Sequence, residues 1–272
     1  MNLELKKFDI SKITSDKVCV LIGKRNTGKS FLVKDLLYYH RKIPIGTVIS
    51  ATEAANPFYG NILPSLFIHD YYTPEIIANV LKRQKLVVQK MRQEIQKFGE
   101  SHVNPYGFLI LDDCLFDNSW VRDTNIRSIF MNGRHYKILF IITMQYALGI
   151  PPNLRTNIDY VFILRENYVS NRKRLYEHYA GMFPTFEMFC QVMDQCTENY
   201  ECLVIDNSAK SNRLEDQVYW YKATEHPEYK IGAPEFWQHH NRNYNKEYGV
   251  QRPDNPLAIA KKGPIINVKK NK

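Results

Sequence analysis

The sequence predicts an α/β fold with a mostly parallel central sheet covered by helices on both faces, and three observations carry that prediction. Short, β-branched and almost wholly apolar runs recur at residues 17–22, 107–113, 137–145 and 159–164, as expected of strands buried on both faces. Segments with apolar residues at helical spacing separate most of the strand runs, and buried strands alternating with helices imply parallel pairing through crossover connections. The first strand meets the first helix through Gly23-Lys24-Arg25-Asn26-Thr27-Gly28-Lys29-Ser30, which fits the pattern G-x-x-x-x-G-K-[ST] without a mismatch.

That pattern is a phosphate-binding loop, and it makes a nucleoside triphosphate the leading ligand. Gly23 and Gly28 let the backbone turn tightly so that consecutive N–H groups face a phosphate. The following helix adds its positive end. Lys29 is placed to reach the β- and γ-phosphates, and the Ser30 hydroxyl to ligate the accompanying Mg²⁺. The candidate nucleotide-binding set is therefore Gly23, Lys24, Arg25, Asn26, Thr27, Gly28, Lys29, Ser30 and Phe31, with ATP and Mg²⁺ as cofactors.

Composition narrows the remaining classes. With 272 residues and 44% hydrophobic content, one large core forms without disulfides. Five cysteines without a C-x-x-C pair argue against a disulfide framework and a zinc knuckle, and fit a reducing compartment. No apolar run is long enough for a membrane span and the N-terminus lacks a signal-peptide layout, so a soluble intracellular protein without membrane insertion is expected. A net charge of +9 favours a polyanionic partner such as nucleic acid, and ordinary solubilising charge is the alternative.

Taken in order, residues 1–16 form an N-terminal edge segment, residues 17–222 the principal domain, and residues 223–272 a basic, weakly ordered extension. The strand at 17–22 leads through the loop to a helix at 30–40 bearing Leu32, Val33, Leu36 and Leu37. Strands follow at 46–50 and 66–69. Thr73-Pro74-Glu75 then supplies an N-cap, a first-turn proline and an acid, starting a helix that runs to Phe98. One stripe of this helix is apolar, while Lys82, Arg83, Lys85, Lys90, Arg92 and Lys97 cover much of the rest, a face suited to a phosphate backbone or merely to solvent. A helix is expected at 120–135, ending at Asn132-Gly133, with further helices at 170–180 and 184–198 and final strands at 200–205 and 218–221.

Two strand tips complete the candidate site. The run G-F-L-I-L-D-D ends in Asp112, suited to the Mg²⁺ shell, and Asp113, suited to polarising an attacking water; a plain strand-to-turn exit is the alternative. The run K-I-L-F-I-I-T-M-Q places Thr143 and Gln145 near the γ-phosphate if its strand lies beside the acidic one. Arg134 precedes that strand and Arg155 follows it; either guanidinium suits the charge on a transferring phosphoryl group, and either could instead be a surface salt-bridge residue.

Together, G-K-R-N-T-G-K-S, F-L-I-L-D-D, I-I-T-M-Q and P-P-N-L-R-T-N-I-D-Y-V resemble the poxvirus-type DNA-packaging ATPases of nucleocytoplasmic large DNA viruses, a branch of the FtsK–HerA superfamily of P-loop NTPases, across residues 15–222. The resemblance implies an ASCE, RecA-like ATPase working as a homo-oligomeric, hexameric ring that translocates double-stranded DNA into a preformed capsid. It further implies capsid vertex proteins as partners, and the viral factory of the host cytoplasm, together with the virion, as its location. In those terms Lys29 and Ser30 bind phosphate and Mg²⁺, Asp112 supports Mg²⁺, Asp113 or a neighbour activates water, and Gln145 senses the γ-phosphate. An arginine, Arg134 in preference to Arg155, reaches in from the next subunit. Many relatives in the superfamily carry Glu where this chain has the shorter Asp113. Two other readings compete: a phosphotransferase acting on a small metabolite, and a nucleotide-gated capsid assembly protein that hydrolyses almost nothing.

Overall fold

A computed structural model describes residues 3–55, 57–114 and 119–245. The strand runs assemble into one eight-stranded sheet. Its strands are β1 (Val18–Ile22), β2 (Gly46–Ser50), β3 (Ile68–His69), β4 (Gly107–Asp112), β5 (Ile138–Met144), β6 (Tyr160–Ile163), β7 (Glu201–Asp206) and β8 (Val218–Lys222). They lie in the order β3-β2-β4-β5-β1-β6-β7-β8. Pairing is parallel from β3 through to β6 and antiparallel for β6–β7 and β7–β8. Every residue of β1, β2, β4, β5 and β6 is buried, which is why these strands read as unbroken apolar runs and not as alternating ones.

Helices cover both faces. On one side lies α1 (Lys29–Tyr39), where Leu32, Val33, Leu36 and Leu37 pack on Leu21, Ile110 and Ile141. On the other lie α2 (Pro74–Phe98), the short α3 (Ser119–Arg122), α4 (Thr124–Asn132), α5 (Pro152–Arg155), α6 (Val169–Tyr179) and α7 (Phe186–Cys196). The Thr73 hydroxyl caps α2 by accepting from the Ile76 N–H, and Pro74 opens the first turn. The single helix expected at 120–135 is two: Asp123 turns its carboxylate onto the Asn125 N–H and starts α4 afresh. A one-turn helix, α8 (Leu214–Gln217), precedes β8. The N-terminal segment follows the sheet's far edge, where Phe8 N–H donates to Trp220 O at 2.8 Å and Trp220 N–H to Lys6 O at 3.1 Å.

The extension expected to be weakly ordered from residue 223 is, in its first part, packed structure. His226 stacks on Tyr38 of α1 with ring centroids 3.7 Å apart, and Ile231 is fully buried. Ile231 N–H donates to Ile62 O and Ala233 N–H to Pro44 O, each at 2.8 Å, leading into α9 (Pro234–Asn243), whose Phe236 lies 4.3 Å from Phe67. These anchors fill separate depressions at irregular intervals, so no helical or strand period announces them. The basic end of the extension, Lys261 to Lys272, lies outside the described residues.

Candidate functional site

Parallel register builds the site. Ser50 pairs with Asp112 and Asp112 with Thr143, so three polar side chains stand in one row across β2, β4 and β5, while Ile22 at the end of β1 pairs with Met144. The loop leaves β1 at this edge, anchored by Gly23 N–H donating to Met144 O at 3.0 Å. A Cβ on Gly23 would come within 2.7 Å of Thr27 Oγ1 and 2.8 Å of Leu164 Cβ, so only glycine fits. Asn26 and Gly28 take left-handed φ values of 60° and 98°. The Thr27 hydroxyl donates to Lys24 O at 2.7 Å and closes the turn.

Lys29 is only 7% exposed and folds back on the loop, its Nζ donating to Gly23 O at 2.6 Å and Lys24 O at 3.1 Å, with Asp113 Oδ1 3.9 Å away. Burial pulls its pKa down, opposed by the charges of Asp113 and Asp112. Asp112 accepts the Thr143 hydroxyl at 2.6 Å and the Ser50 hydroxyl at 3.0 Å. Burial raises its pKa above the ordinary carboxylate range, the Thr143 hydrogen bond opposes that rise, and the Asp113 charge adds to it. Asp113 has a left-handed φ of 50° that turns its carboxylate back toward the loop, and its N–H donates to Thr143 Oγ1 at 3.0 Å. Gln145 Nε2 donates to Asp113 Oδ2 at 2.9 Å, and Asp113 Oδ1 is buried without a hydrogen-bond partner among the described residues. These groups open on a cleft of about 900 Å³, lined also by Arg25, Ser30 and Phe31.

The structure thus brings together the loop, Lys29, Ser30, Asp112, Asp113 and Gln145. It does not bring Arg134 or Arg155 to them. Arg134 sits before β5, a strand's length of about 23 Å from the loop, and pairs with the buried Asp159, which also accepts Lys17 Nζ at 3.2 Å and Val18 N–H at 3.0 Å. Arg155 lies over the Tyr179 ring at 5.7 Å, in a separate hollow with His178 and Asn207. Thr143, expected near the γ-phosphate, donates its hydroxyl to Asp112, which lines the same cleft as the loop.

Sequence reasoning missed Glu166. This carboxylate, three residues beyond β6, accepts Lys24 Nζ at 2.6 Å, Tyr168 N–H at 2.8 Å and Asn171 Nδ2 at 3.0 Å, tying the loop to α6. Burial pushes its pKa up, but the hydrogen bonds led by Lys24 outweigh burial and hold it low. Its one sequence signal is an acid three residues beyond a buried strand. Arg174 of α6, also unremarked, lies 5.1 Å from the Tyr146 ring, next to Gln145.

The donor set suits a hard cation. Among the described residues no cluster of three His, Cys, Asp or Glu could hold a metal by itself. The Ser30 hydroxyl and the Asp112 carboxylate instead offer the few oxygen ligands that Mg²⁺ takes when substrate phosphates supply the rest. No helix among the described residues is long and apolar enough to cross a membrane.

The sheet order, with β5 inserted between β1 and β4, and the loop at the carboxyl edge of the sheet define the class: the chain has a P-loop NTPase fold. The EssC ATPases 2 and 3 of Geobacillus thermodenitrificans share it with a TM-score of 0.50 and 15% identity, over 84% of this chain and 43% of that one. The DNA-packaging ATPase B204 of Sulfolobus turreted icosahedral virus superposes at a TM-score of 0.49 with 16% identity, over 78% of this chain and 100% of that one. No protein-family model matches the sequence. The chain belongs to a family of viral proteins represented by an uncharacterized protein of Acanthamoeba polyphaga mimivirus, to which it is 42% identical over 250 residues, 92% of this chain and 87% of that protein. A second member, from Invertebrate iridescent virus 6, is 42% identical over 235 residues, 84% of this chain and 86% of that protein.

Proposed function

We propose that this chain is an ATP-hydrolysing motor that drives double-stranded DNA into viral capsids as a homo-oligomeric, hexameric ring. The observation that carries the proposal is the convergence of Lys29, Asp112, Asp113 and Gln145 from the tips of two adjacent strands, β4 and β5, and the loop on one cleft. Membership of a viral family, the motif likeness to packaging ATPases and the net charge of +9 support it. It acts in the host cytoplasm and the virion, with capsid vertex proteins as further partners.

Ser30 and Asp112 would hold Mg²⁺, which supplies charge neutralisation on the phosphates. Lys29 exchanges the carbonyls of Gly23 and Lys24 for phosphate oxygens when the substrate enters, since a buried ammonium keeps its donors satisfied. Gln145 holds one oxygen of Asp113, and the other, which has no hydrogen bond among the described residues, would take one, and then a proton, from the attacking water. Hydrolysis leaves ADP and phosphate. An arginine from the next subunit, Arg134 or Arg155, completes the site.

Purified protein should hydrolyse ATP slowly and faster with double-stranded DNA, with stimulation falling steeply as salt rises. A rate indifferent to DNA across that salt range would sink the translocase reading. Lys29→Ala should abolish turnover; an intact rate would mean that the loop is misassigned.

A further inference from the structure

The turn between α7 and β7 lies at the same edge of the sheet as the phosphate loop, because β7 runs antiparallel to β6 and pairs Leu203 with Ile163. Glu201 N–H donates to Glu198 O at 2.8 Å across the turn, and its two central residues, Asn199 and Tyr200, have φ values of 49° and 64°. Two consecutive left-handed residues closed by such a bond are the pattern of a type I′ turn, whose second central position strongly favours glycine. Here that position holds a tyrosine, and a bulky side chain at positive φ is a strained choice.

Among the described residues no hydrogen bond or ring contact of the side chain compensates that strain. The Tyr200 side chain is 70% exposed and has no hydrogen-bond or ring partner among the described residues. It nevertheless lies against the loop, since a Cβ on Gly28 would be 3.4 Å from Tyr200 Cδ1. Gly28 immediately precedes Lys29 and Ser30 and lines the cleft, as does Phe31 in the first turn of α1, whose side chain is 43% exposed.

We propose that Tyr200 is a stacking platform for the purine base of the nucleotide whose phosphates occupy Gly23–Ser30. The inference rests on the loop's binding a nucleotide, as proposed above, and adds the side chain that receives the other end of the ligand. A ligand anchored by phosphates on the loop and carrying a flat apolar group has in Tyr200 an exposed π-face beside Gly28, and base–aromatic stacking supplies affinity with little demand on hydrogen-bond pattern. Purine nucleotides therefore bind more tightly than pyrimidine nucleotides, and both more tightly than a triphosphate without a base.

Tyr200→Gly separates the two roles of the residue, because glycine is the better turn former. In the full-length chain it should raise Tm by about 2–4 °C while weakening binding of a non-hydrolysable ATP analogue about tenfold. Affinity for inorganic tripolyphosphate should not change, and Tyr200→Phe should bind the analogue as wild type does. Unchanged affinity of Tyr200→Gly for the analogue overturns the proposal. So does an equal loss for tripolyphosphate, which would mean that the turn merely shapes the loop. Wild-type protein that binds tripolyphosphate as tightly as the analogue removes the stacking subsite but leaves the loop assignment standing. If it binds neither, the loop assignment falls and the subsite with it.

Discussion

Gln145 Nε2 donates to Asp113 Oδ2 at 2.9 Å across the tips of β5 and β4, leaving Asp113 Oδ1 as a buried acceptor without a hydrogen-bond partner among the described residues, 3.9 Å from Lys29 Nζ. One oxygen is positioned so that the other is available. A buried acceptor left without a donor is costly, and such an atom in a nucleotide cleft is a place for a water to bind.

Asp113→Asn should therefore lower kcat by roughly 10²- to 10⁴-fold, with nucleotide affinity retained because Lys29 and the loop are untouched. Gln145→Ala should cost less, on the order of tenfold to a hundredfold, because the proposed base survives and only its orientation is loosened. Single-turnover hydrolysis beside equilibrium nucleotide binding checks both. Loss of binding in Asp113→Asn would make the residue a ligand of the nucleotide and not its base.

His40 closes α1, the helix that the loop opens, and burial lowers its pKa from 6.5 to about 4. The folded chain therefore keeps this imidazole neutral where the unfolded chain protonates it. The stability that neutrality contributes is present above pH 6.5 and is lost as the pH falls toward 4, by about 1.4 kcal/mol per pH unit from this residue. His40→Gln should flatten the fall by about that slope, measured as urea midpoints across the window. An unchanged slope would assign the acid sensitivity elsewhere.

Asp35, also in α1, is fully buried and accepts three donors from the segment after β7: the Tyr221 hydroxyl at 2.6 Å, Thr224 N–H at 3.1 Å and His226 Nε2 at 2.6 Å. Asp35→Leu strands all three, so a loss of about 3 kcal/mol is expected in urea titration. His226→Ala should lose less, since the other two donors stay paired. A loss below about 0.5 kcal/mol in Asp35→Leu would show that the clasp contributes nothing to the fold.

The same residues show what was legible in the sequence. The strands and the loop could be read because their signal is local: Val18–Ile22 is uniformly apolar since both its faces are covered, and Gly23 and Gly28 stand where the backbone turns. Asp112, Asp113 and Gln145 sit at strand tips, so a guess at strand adjacency was enough to unite them. Asp35, Glu166 and Tyr200 were invisible because their partners are remote. Tyr221 is 186 residues from Asp35, Lys24 is 142 positions before Glu166, and Tyr200 meets Gly28 only once β7 is folded back along β6. The packing of residues 223–245 escaped for a related reason, as each anchor there fits a surface formed by other elements.

Arg134 presents the sharpest test of a ring. Its guanidinium is 61% exposed although paired with Asp159, and the loop of its own protomer lies at the other end of β5. Lys17 and the Val18 N–H continue to satisfy Asp159 when the guanidinium is removed, so Arg134→Ala should fold with a loss of about 1 kcal/mol or less. If this arginine acts across a subunit boundary, Arg134→Ala homo-oligomers should lose on the order of 10³-fold in ATPase rate. Mixing them with Lys29→Ala subunits should restore activity, because some boundaries then pair an intact Lys29 with an intact Arg134 from the neighbour. The same mixing with Arg155→Ala tests the other arginine. Mixtures as inactive as their components, with both variants folded and assembled, would mean that neither guanidinium crosses a boundary, and Arg174 beside Gln145 would then be the arginine to substitute next.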